Sequence, residues 1–112
     1  MRNLAEELGM MAPPLRLDEM QERIGEELGV SRWFRLDQAR IDAFADMTED
    51  RQFIHVDPVR ARAQSPFGGT VAHGFLTLSM ISAMAYDAEP PIIGARFGVN
   101  YGFDRVRFIA PV

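Results

Sequence analysis

The chain has 112 residues, which is enough for one small domain and too few for two separate hydrophobic cores. Its net charge of −4 excludes the basic surface that a nucleic-acid backbone requires, and its 47% hydrophobic and 25% charged residues exclude a disordered or coiled-coil chain. The absence of cysteine excludes disulfides, thiol nucleophiles and thiolate metal sites, and we expect a cytoplasmic protein without a membrane partner.

Residues 1–29 are predicted to form an N-terminal extension that ends in one amphipathic helix. The paired prolines at 13–14 end any helix that begins in the leader. Asp18 is typical of an N-cap, and Gly29 is typical of a helix end. An apolar stripe with helical spacing lies between them, formed by Met20, Ile24 and Leu28.

A strand and two further helices are predicted next. The aromatic-rich segment 30–36 favours a strand. Asp37 caps a helix over residues 38–47, and Asp57, which a proline follows, begins a short helix over residues 58–64. The longer helix has an apolar stripe made of Ile41, Phe44 and Ala45.

The last third of the chain predicts a buried helix and two strands. The segment from His73 to Tyr86 is apolar on nearly every face, which indicates a helix buried on all sides. Alternation over residues 95–101, followed by residues 103–109, indicates two strands. These strands are too few to cover such a helix, so we expect strands outside this sequence, or a partner chain, to complete the sheet.

The residues best suited to chemistry lie in the middle of the chain. Asp50 and His55 are five positions apart on a predicted loop, where a carboxylate and an imidazole can together hold and deprotonate a water molecule. The glycines at 68–69 then lead to Gly74, at the start of the apolar helix. The first backbone N–H groups of that helix can polarise a carbonyl oxygen. The pattern predicts an active site.

Residues 35–112 resemble the MaoC-like (R)-specific enoyl-CoA hydratases and dehydratases, in particular the branch that includes nodulation protein N. The family pattern Thr-Gly-Asp-x-Asn-Pro-Ile-His places its aspartate and histidine on Asp50 and His55. Residues 72–79 are similar to the start of the family's central helix. The resemblance implies one α+β hot-dog domain over residues 1–112, in which an antiparallel sheet wraps a central apolar helix and the C-terminal strands are lacking.

The resemblance also implies a role for each matched residue. Asp50 and His55 would activate a water that adds to C3 of a trans-2-enoyl thioester, and the Gly74 N–H would bind the thioester oxygen. Further substrate contacts are expected from Gln52, Phe53, Phe75 and Ser82. The carrier would be coenzyme A or acyl carrier protein, the enzyme would be a homodimeric hydro-lyase of fatty acid metabolism, and no metal or other cofactor is implied.

Three positions depart from the family pattern. Glu49 stands where the pattern has glycine, Gln52 stands where it has asparagine, and Phe53 stands where it has proline. Gln52 can still form hydrogen bonds, and an aromatic residue before Ile-His resembles the branch of nodulation protein N. We interpret the three departures as variation within that branch.

Other interpretations of the same residues stay open. On spacing alone, Asp50 and His55 also fit a surface acid beside a helix-capping histidine. Gly74 also fits close packing at a helix start, and His73 is expected to cap or hydrogen-bond there without a catalytic part. A zinc site would need both histidines and an acid, and is the weaker interpretation.

Two alternative functions follow from these interpretations. A hot-dog thioesterase would polarise the same carbonyl and direct water to C1 instead of C3. A non-catalytic module would bind acyl thioesters without converting them.

Overall fold

A computed structural model of the chain describes residues 13–112. Residues 1–12 of the predicted leader lie outside this range. The described part of the chain divides into two compact units. The first contains the described residues up to Trp33 together with Ser82–Asp104, and the second contains Phe34–Ile81 together with Arg105–Val112.

Short helices dominate the secondary structure of both units. Within residues 13–112 the elements in chain order are β1 (Leu15–Arg16), α1 (Leu17–Glu22), α2 (Gln38–Thr48), α3 (Phe53–Val56), α4 (Pro58–Gln64), α5 (Gly74–Ser79), α6 (Ile81–Ala88) and β2 (Ile92–Ile93). The strands pair in parallel, with Leu15 opposite Ile92 and Arg16 opposite Ile93. The described part of the chain is therefore α+β.

Helix α1 of the first unit begins and ends earlier than the sequence predicts. Its N-cap is Arg16 rather than Asp18, because the Arg16 backbone N–H donates to the Glu19 carboxylate at 3.1 Å. The helix ends at Glu22, and Gly29 does not close it. Gly29 instead lies against the backbone carbonyl of Ala88, at a distance that leaves no room for a Cβ.

The two helices that were predicted from their caps are confirmed. Asp37 accepts the backbone N–H of Arg40 at 2.9 Å and begins α2, and Asp57 accepts that of Arg60 at 3.0 Å and begins α4. Ile41 and Ala45 of α2 are buried, as their spacing predicts. Ile41 belongs to the core of the second unit, which consists of Ile41, Ala72 and Leu76 with Leu36 and Phe44 packed against them.

The apolar segment that begins at His73 is not one buried helix. It is divided at Met80 into α5 and α6. Leu76 is buried, but Phe75 is 68% exposed and every residue of α6 keeps part of its surface exposed. The prediction of burial on all sides is wrong here because burial needs a covering sheet.

The three predicted strands are also wrong for the described part of the chain. Residues 30–36, 95–101 and 103–109 adopt no regular secondary structure there. Residues 95–109 are exposed throughout, and Phe97 is 81% exposed. A strand forms only when a neighbouring strand pairs with its backbone groups. Residues 13–112 do not form the antiparallel sheet that would supply these pairs. No helix among these residues is long and apolar enough to cross a membrane.

Candidate active site

The second unit brings the two predicted catalytic side chains together. Asp50 lies on the turn after α2, and His55 lies on α3, a one-turn helix where the sequence predicts a loop. One carboxylate oxygen of Asp50, one ring nitrogen of His55 and one ring nitrogen of His73 all lie within 4.8 Å of one another. Asp50 is exposed, whereas both histidines are buried. An exposed carboxylate thus borders a buried pair of imidazoles.

Backbone contacts determine which nitrogen of His55 carries the proton. Nδ1 lies 2.7 Å from the carbonyl oxygen of Val71. Because a carbonyl only accepts, we assign the hydrogen to Nδ1, which leaves the Nε2 lone pair of the neutral ring free to accept a proton. Val71 also donates its N–H to the Ile54 carbonyl at 2.9 Å. These two bonds fix the position of the ring relative to the segment that contains Val71.

Gln38 links three segments around the site. Its Nε2 donates to the His55 carbonyl at 2.7 Å and to the Asp42 carboxylate at 2.9 Å. Its Oε1 accepts the hydroxyl hydrogen of Thr70 at 2.6 Å. The amide therefore connects the start of α2 with α3 and with the glycine-rich segment before Val71.

His73 reaches the predicted catalytic loop from the start of α5. Its Nε2 lies 2.9 Å from the backbone carbonyl of Asp50, and its ring stacks on that of His55 with 3.8 Å between centroids and 22° between planes. It is the N-cap residue of α5, but its side chain makes no capping bond within the described residues. The sequence predicted capping or hydrogen bonding at the helix start, and the structure shows a hydrogen bond to a distant loop.

The separation of Asp50 and His55 suits a bridging water molecule. Two hydrogen bonds of about 2.8 Å that leave one water at the tetrahedral angle place their acceptors about 4.6 Å apart. One carboxylate oxygen of Asp50 and one ring nitrogen of His55 lie within 4.8 Å of each other, close enough for one water to contact both. A water held there faces two acceptors, so both of its hydrogens are engaged and an oxygen lone pair is free for attack.

The same three side chains are ligand types for a metal ion, but the stacking of the rings disfavours one. The lone pair of an imidazole nitrogen lies in the ring plane. With the planes inclined by only 22° and the centroids 3.8 Å apart, the lone pairs of the two rings lie in nearly parallel planes that are offset from each other. An ion about 2.1 Å from both nitrogens would therefore lie out of at least one ring plane. The arrangement therefore fits water better than zinc.

Gly74 borders a mainly apolar cavity of about 340 Å³ in the second unit. The lining includes Ile54, Val71, Thr77 and Phe108. A Cβ on Gly74 would come within 2.6 Å of the Phe108 ring, so this glycine permits close packing. The N–H of a first helical residue has no partner within its helix, and binding of a thioester oxygen by Gly74 stays a prediction.

The four predicted substrate-binding residues differ in their surroundings. Gln52 is exposed, and Phe53 is half-buried with the Arg60 guanidinium 4.1 Å from its ring centroid. Phe75 makes an edge contact with Phe108 rather than lining the cavity. Ser82 belongs to the first unit, where its Oγ accepts a hydrogen bond from Asn100 Nδ2 at 3.1 Å.

A model of the protein family described as "MaoC like domain" matches residues 19–112. The chain belongs to this family. The MaoC-like chain is 58% identical to nodulation protein N of Rhizobium leguminosarum bv. viciae over 98 residues, which are 88% of this chain and 61% of that protein. The corresponding protein of Rhizobium meliloti is 55% identical over the same shares of both chains. The resemblance to the branch of nodulation protein N is confirmed.

A relative whose name states an activity also matches. The 3-hydroxyacyl-thioester dehydratase Z of Mycobacterium tuberculosis is 46% identical to the MaoC-like chain over 88 residues, which are 79% of this chain and 57% of that protein. The chain thus spans about three-fifths of the length of the curated relatives that it matches.

Proposed function

We propose that this MaoC-like domain adds water to trans-2-enoyl thioesters to give (R)-3-hydroxyacyl thioesters, and catalyses the reverse dehydration. The observation that carries the proposal is the pairing of the Asp50 carboxylate with the buried ring of His55 at a spacing that one water can bridge. The dehydratase Z relative is named for the dehydration direction, which supports the same reaction class.

In the proposed reaction, Asp50 and Nε2 of His55 accept the two hydrogens of the bound water. The water oxygen forms a bond to C3 of the substrate while His55 takes one proton. The electron pair of the C2–C3 double bond moves toward the thioester carbonyl, whose developing negative charge meets the Gly74 N–H. The proton is returned to C2 as the carbonyl reforms, and the net change is the addition of one water.

The apolar cavity beside Gly74 supplies a place for the acyl chain in this scheme. It is lined mainly by apolar side chains and borders the N–H that would meet the thioester oxygen. Coenzyme A and acyl carrier protein are the two candidate carriers. The hot-dog sheet and the homodimer belong to the same proposal, in which residues 95–101 and 103–109 become strands once the remaining strands pair with them.

The test is the loss of enoyl-thioester absorbance with crotonyl-CoA. We expect the parent protein to consume the substrate and form the (R)-3-hydroxy product. Asp50→Asn and His55→Asn should each lower kcat/KM by about 10²- to 10⁴-fold, since the first removes the negative charge beside the water and the second removes the nitrogen that takes its proton. The amide of asparagine can still donate to the Val71 carbonyl from the position of Nδ1, so His55→Asn tests the lost acceptor rather than a lost structural bond.

Asp46→Asn is the matched control for Asp50→Asn. Asp46 is an exposed acid at the end of α2 that pairs with Arg51 at 3.1 Å, outside the predicted site. Full activity in Asp46→Asn, with loss in Asp50→Asn, would support the assignment. Binding of crotonyl-CoA without conversion by the folded parent would contradict the hydratase and favour the non-catalytic module. Release of crotonate and free thiol would favour the thioesterase.

A further inference from the structure

We propose that His73 is the positioning residue for Asp50, which it tethers through the backbone carbonyl while its ring supports the ring of His55. The catalytic role of His73 rests on the proposed function. The two contacts of its ring, to the Asp50 carbonyl and to His55, do not depend on that function. Both contacts come from one buried side chain, which is 3% exposed and begins α5.

The hydrogen-bond partner fixes the tautomer of His73. The Asp50 carbonyl can only accept, so the hydrogen lies on Nε2 and the donation runs from His73 to Asp50. Nδ1 of His73 is buried and has no partner among the described residues. A buried polar atom without a partner destabilises the folded state. The hydrogen bond from Nε2 to the Asp50 carbonyl therefore holds His73 in place. A residue that served only to pack this position would not leave a buried polar atom without a partner.

The tether acts on a segment that has few other constraints. Glu49, directly before Asp50, is in the left-handed conformation with φ 63°. The Asp50 carboxylate accepts the Gln52 N–H at a long 3.4 Å, and Arg51 pairs with Asp46 on the exposed surface. The bond from His73 is part-buried and joins residues that are 23 positions apart. It therefore fixes the Asp50 backbone relative to α5.

The opposite tautomers of the two histidines follow from the same geometry. His55 carries its hydrogen on Nδ1, toward Val71, and His73 carries its hydrogen on Nε2, toward Asp50. With the rings 3.8 Å apart, any shift of His73 moves both the Asp50 backbone and the surface on which His55 rests. Catalysis depends on such placement, since a misplacement of about 1 Å can cost about 100-fold in rate.

The first experiment measures the tautomers by long-range ¹H–¹⁵N correlation spectra of the histidine rings in the ligand-free protein. We expect a protonated Nδ1 in His55 and a protonated Nε2 in His73. A His73 ring with its hydrogen on Nδ1 would overturn the tether. This readout needs no substrate, so it separates the tether from the proposed function. If the parent protein is inactive but both histidines show the expected tautomers, only the proposed hydratase activity is contradicted.

The second experiment compares His73→Leu with His73→Gln. Leucine removes the donor, whereas glutamine can present an amide N–H near the position of Nε2. We expect kcat for crotonyl-CoA to fall about 100-fold in His73→Leu with little change in KM, and His73→Gln to recover most of the loss. The amide resonances of residues 49–52 should move in the leucine variant and return in the glutamine variant.

Phe44→Leu is the matched packing control. The ring of Phe44 contacts that of His73 with 4.9 Å between centroids, so this change loosens its packing and leaves the Nε2 donor in place. Equal kcat losses in Phe44→Leu and His73→Leu would overturn the positioning role, as would an unchanged kcat in His73→Leu. If His73→Leu does not fold, the glutamine variant decides: activity near that of the parent supports the tether, and a 100-fold loss in a folded protein contradicts it.

Discussion

One contact in each compact unit joins distant segments, and the two contacts differ in their physical nature. In the first unit, Gly29 approaches the Ala88 carbonyl so closely that the contact depends on a missing side chain. In the second unit, buried histidine rings donate to the carbonyls of Val71 and Asp50. The first arrangement should be sensitive to added atoms, and the second to removed donors. Sequence distance is therefore bridged by close approach at Gly29 and by polar side chains at His55 and His73.

The largest effect on stability is expected from Gly29→Ala in the first unit. The new methyl group overlaps a backbone carbonyl, which cannot move aside as a flexible side chain can. Overpacking of this kind costs about 3 kcal/mol of the free energy of unfolding. Urea denaturation of the variant and the parent measures the loss.

Gly25→Ala is the control for this prediction. A Cβ on Gly25 meets open space, and its φ of 89° adds only the local strain of a left-handed residue, about 1 kcal/mol. If both alanine variants lose the same stability, close approach at Gly29 is not what joins the segments of the first unit.

A smaller loss is expected from Gln38→Leu in the second unit. The change removes the donor to the His55 carbonyl and the acceptor of the Thr70 hydroxyl, both part-buried. Unsatisfied partners should lower the free energy of unfolding by about 2 kcal/mol. Gln64→Leu, which loses one bond from Arg60 on the exposed surface, should change it by less than about 0.5 kcal/mol. Equal losses of the two variants in thermal denaturation would contradict the stabilising role of the part-buried bonds of Gln38.

The smallest effect is a gain from Glu49→Gly. Glu49 ends α2 with φ 63°, a conformation that costs a non-glycine residue about 1 kcal/mol. Glycine should recover most of this energy, and the midpoint of urea denaturation should rise. Glu49→Ala keeps the strain and removes the charge, so its midpoint should stay near that of the parent. A rise in the alanine variant instead would point to charge rather than backbone strain.

Elements with local signals could be predicted from the sequence. Helices α2 and α4 begin where Asp37 and Asp57 cap them, because a cap and the N–H groups it satisfies lie within one turn. The left-handed turn at Glu49 was not predicted, although a glycine at this position of the family pattern is compatible with it. Segments 30–36 and 95–109 could not be predicted correctly, because alternation shows the capacity to pair and not the presence of a partner strand.

The proximity of the Asp50 and His55 side chains could be predicted from the sequence, whereas the contacts that hold them could not. The spacing and the family pattern indicate Asp50 and His55, and the structure places them within reach of one water. The sequence gave no signal for the two hydrogen bonds that hold His55, one to the Val71 carbonyl and one from the Gln38 amide. Each bond ends on a backbone carbonyl, which every residue type has, and the two bonds span 16 and 17 positions of sequence. For His73 the sequence indicated a hydrogen bond, but its target depends on the tertiary fold.

The difference in exposure between Asp50 and the two histidines has a consequence for isotope exchange under the proposed reaction. A water that touches an exposed carboxylate on one side is connected to the solvent, even though the base on its other side is buried. The oxygen released by dehydration would then leave for bulk water before it could return to the same substrate. Reversible turnover in labelled water should place the solvent's ¹⁸O on C3 of the hydroxyacyl chain.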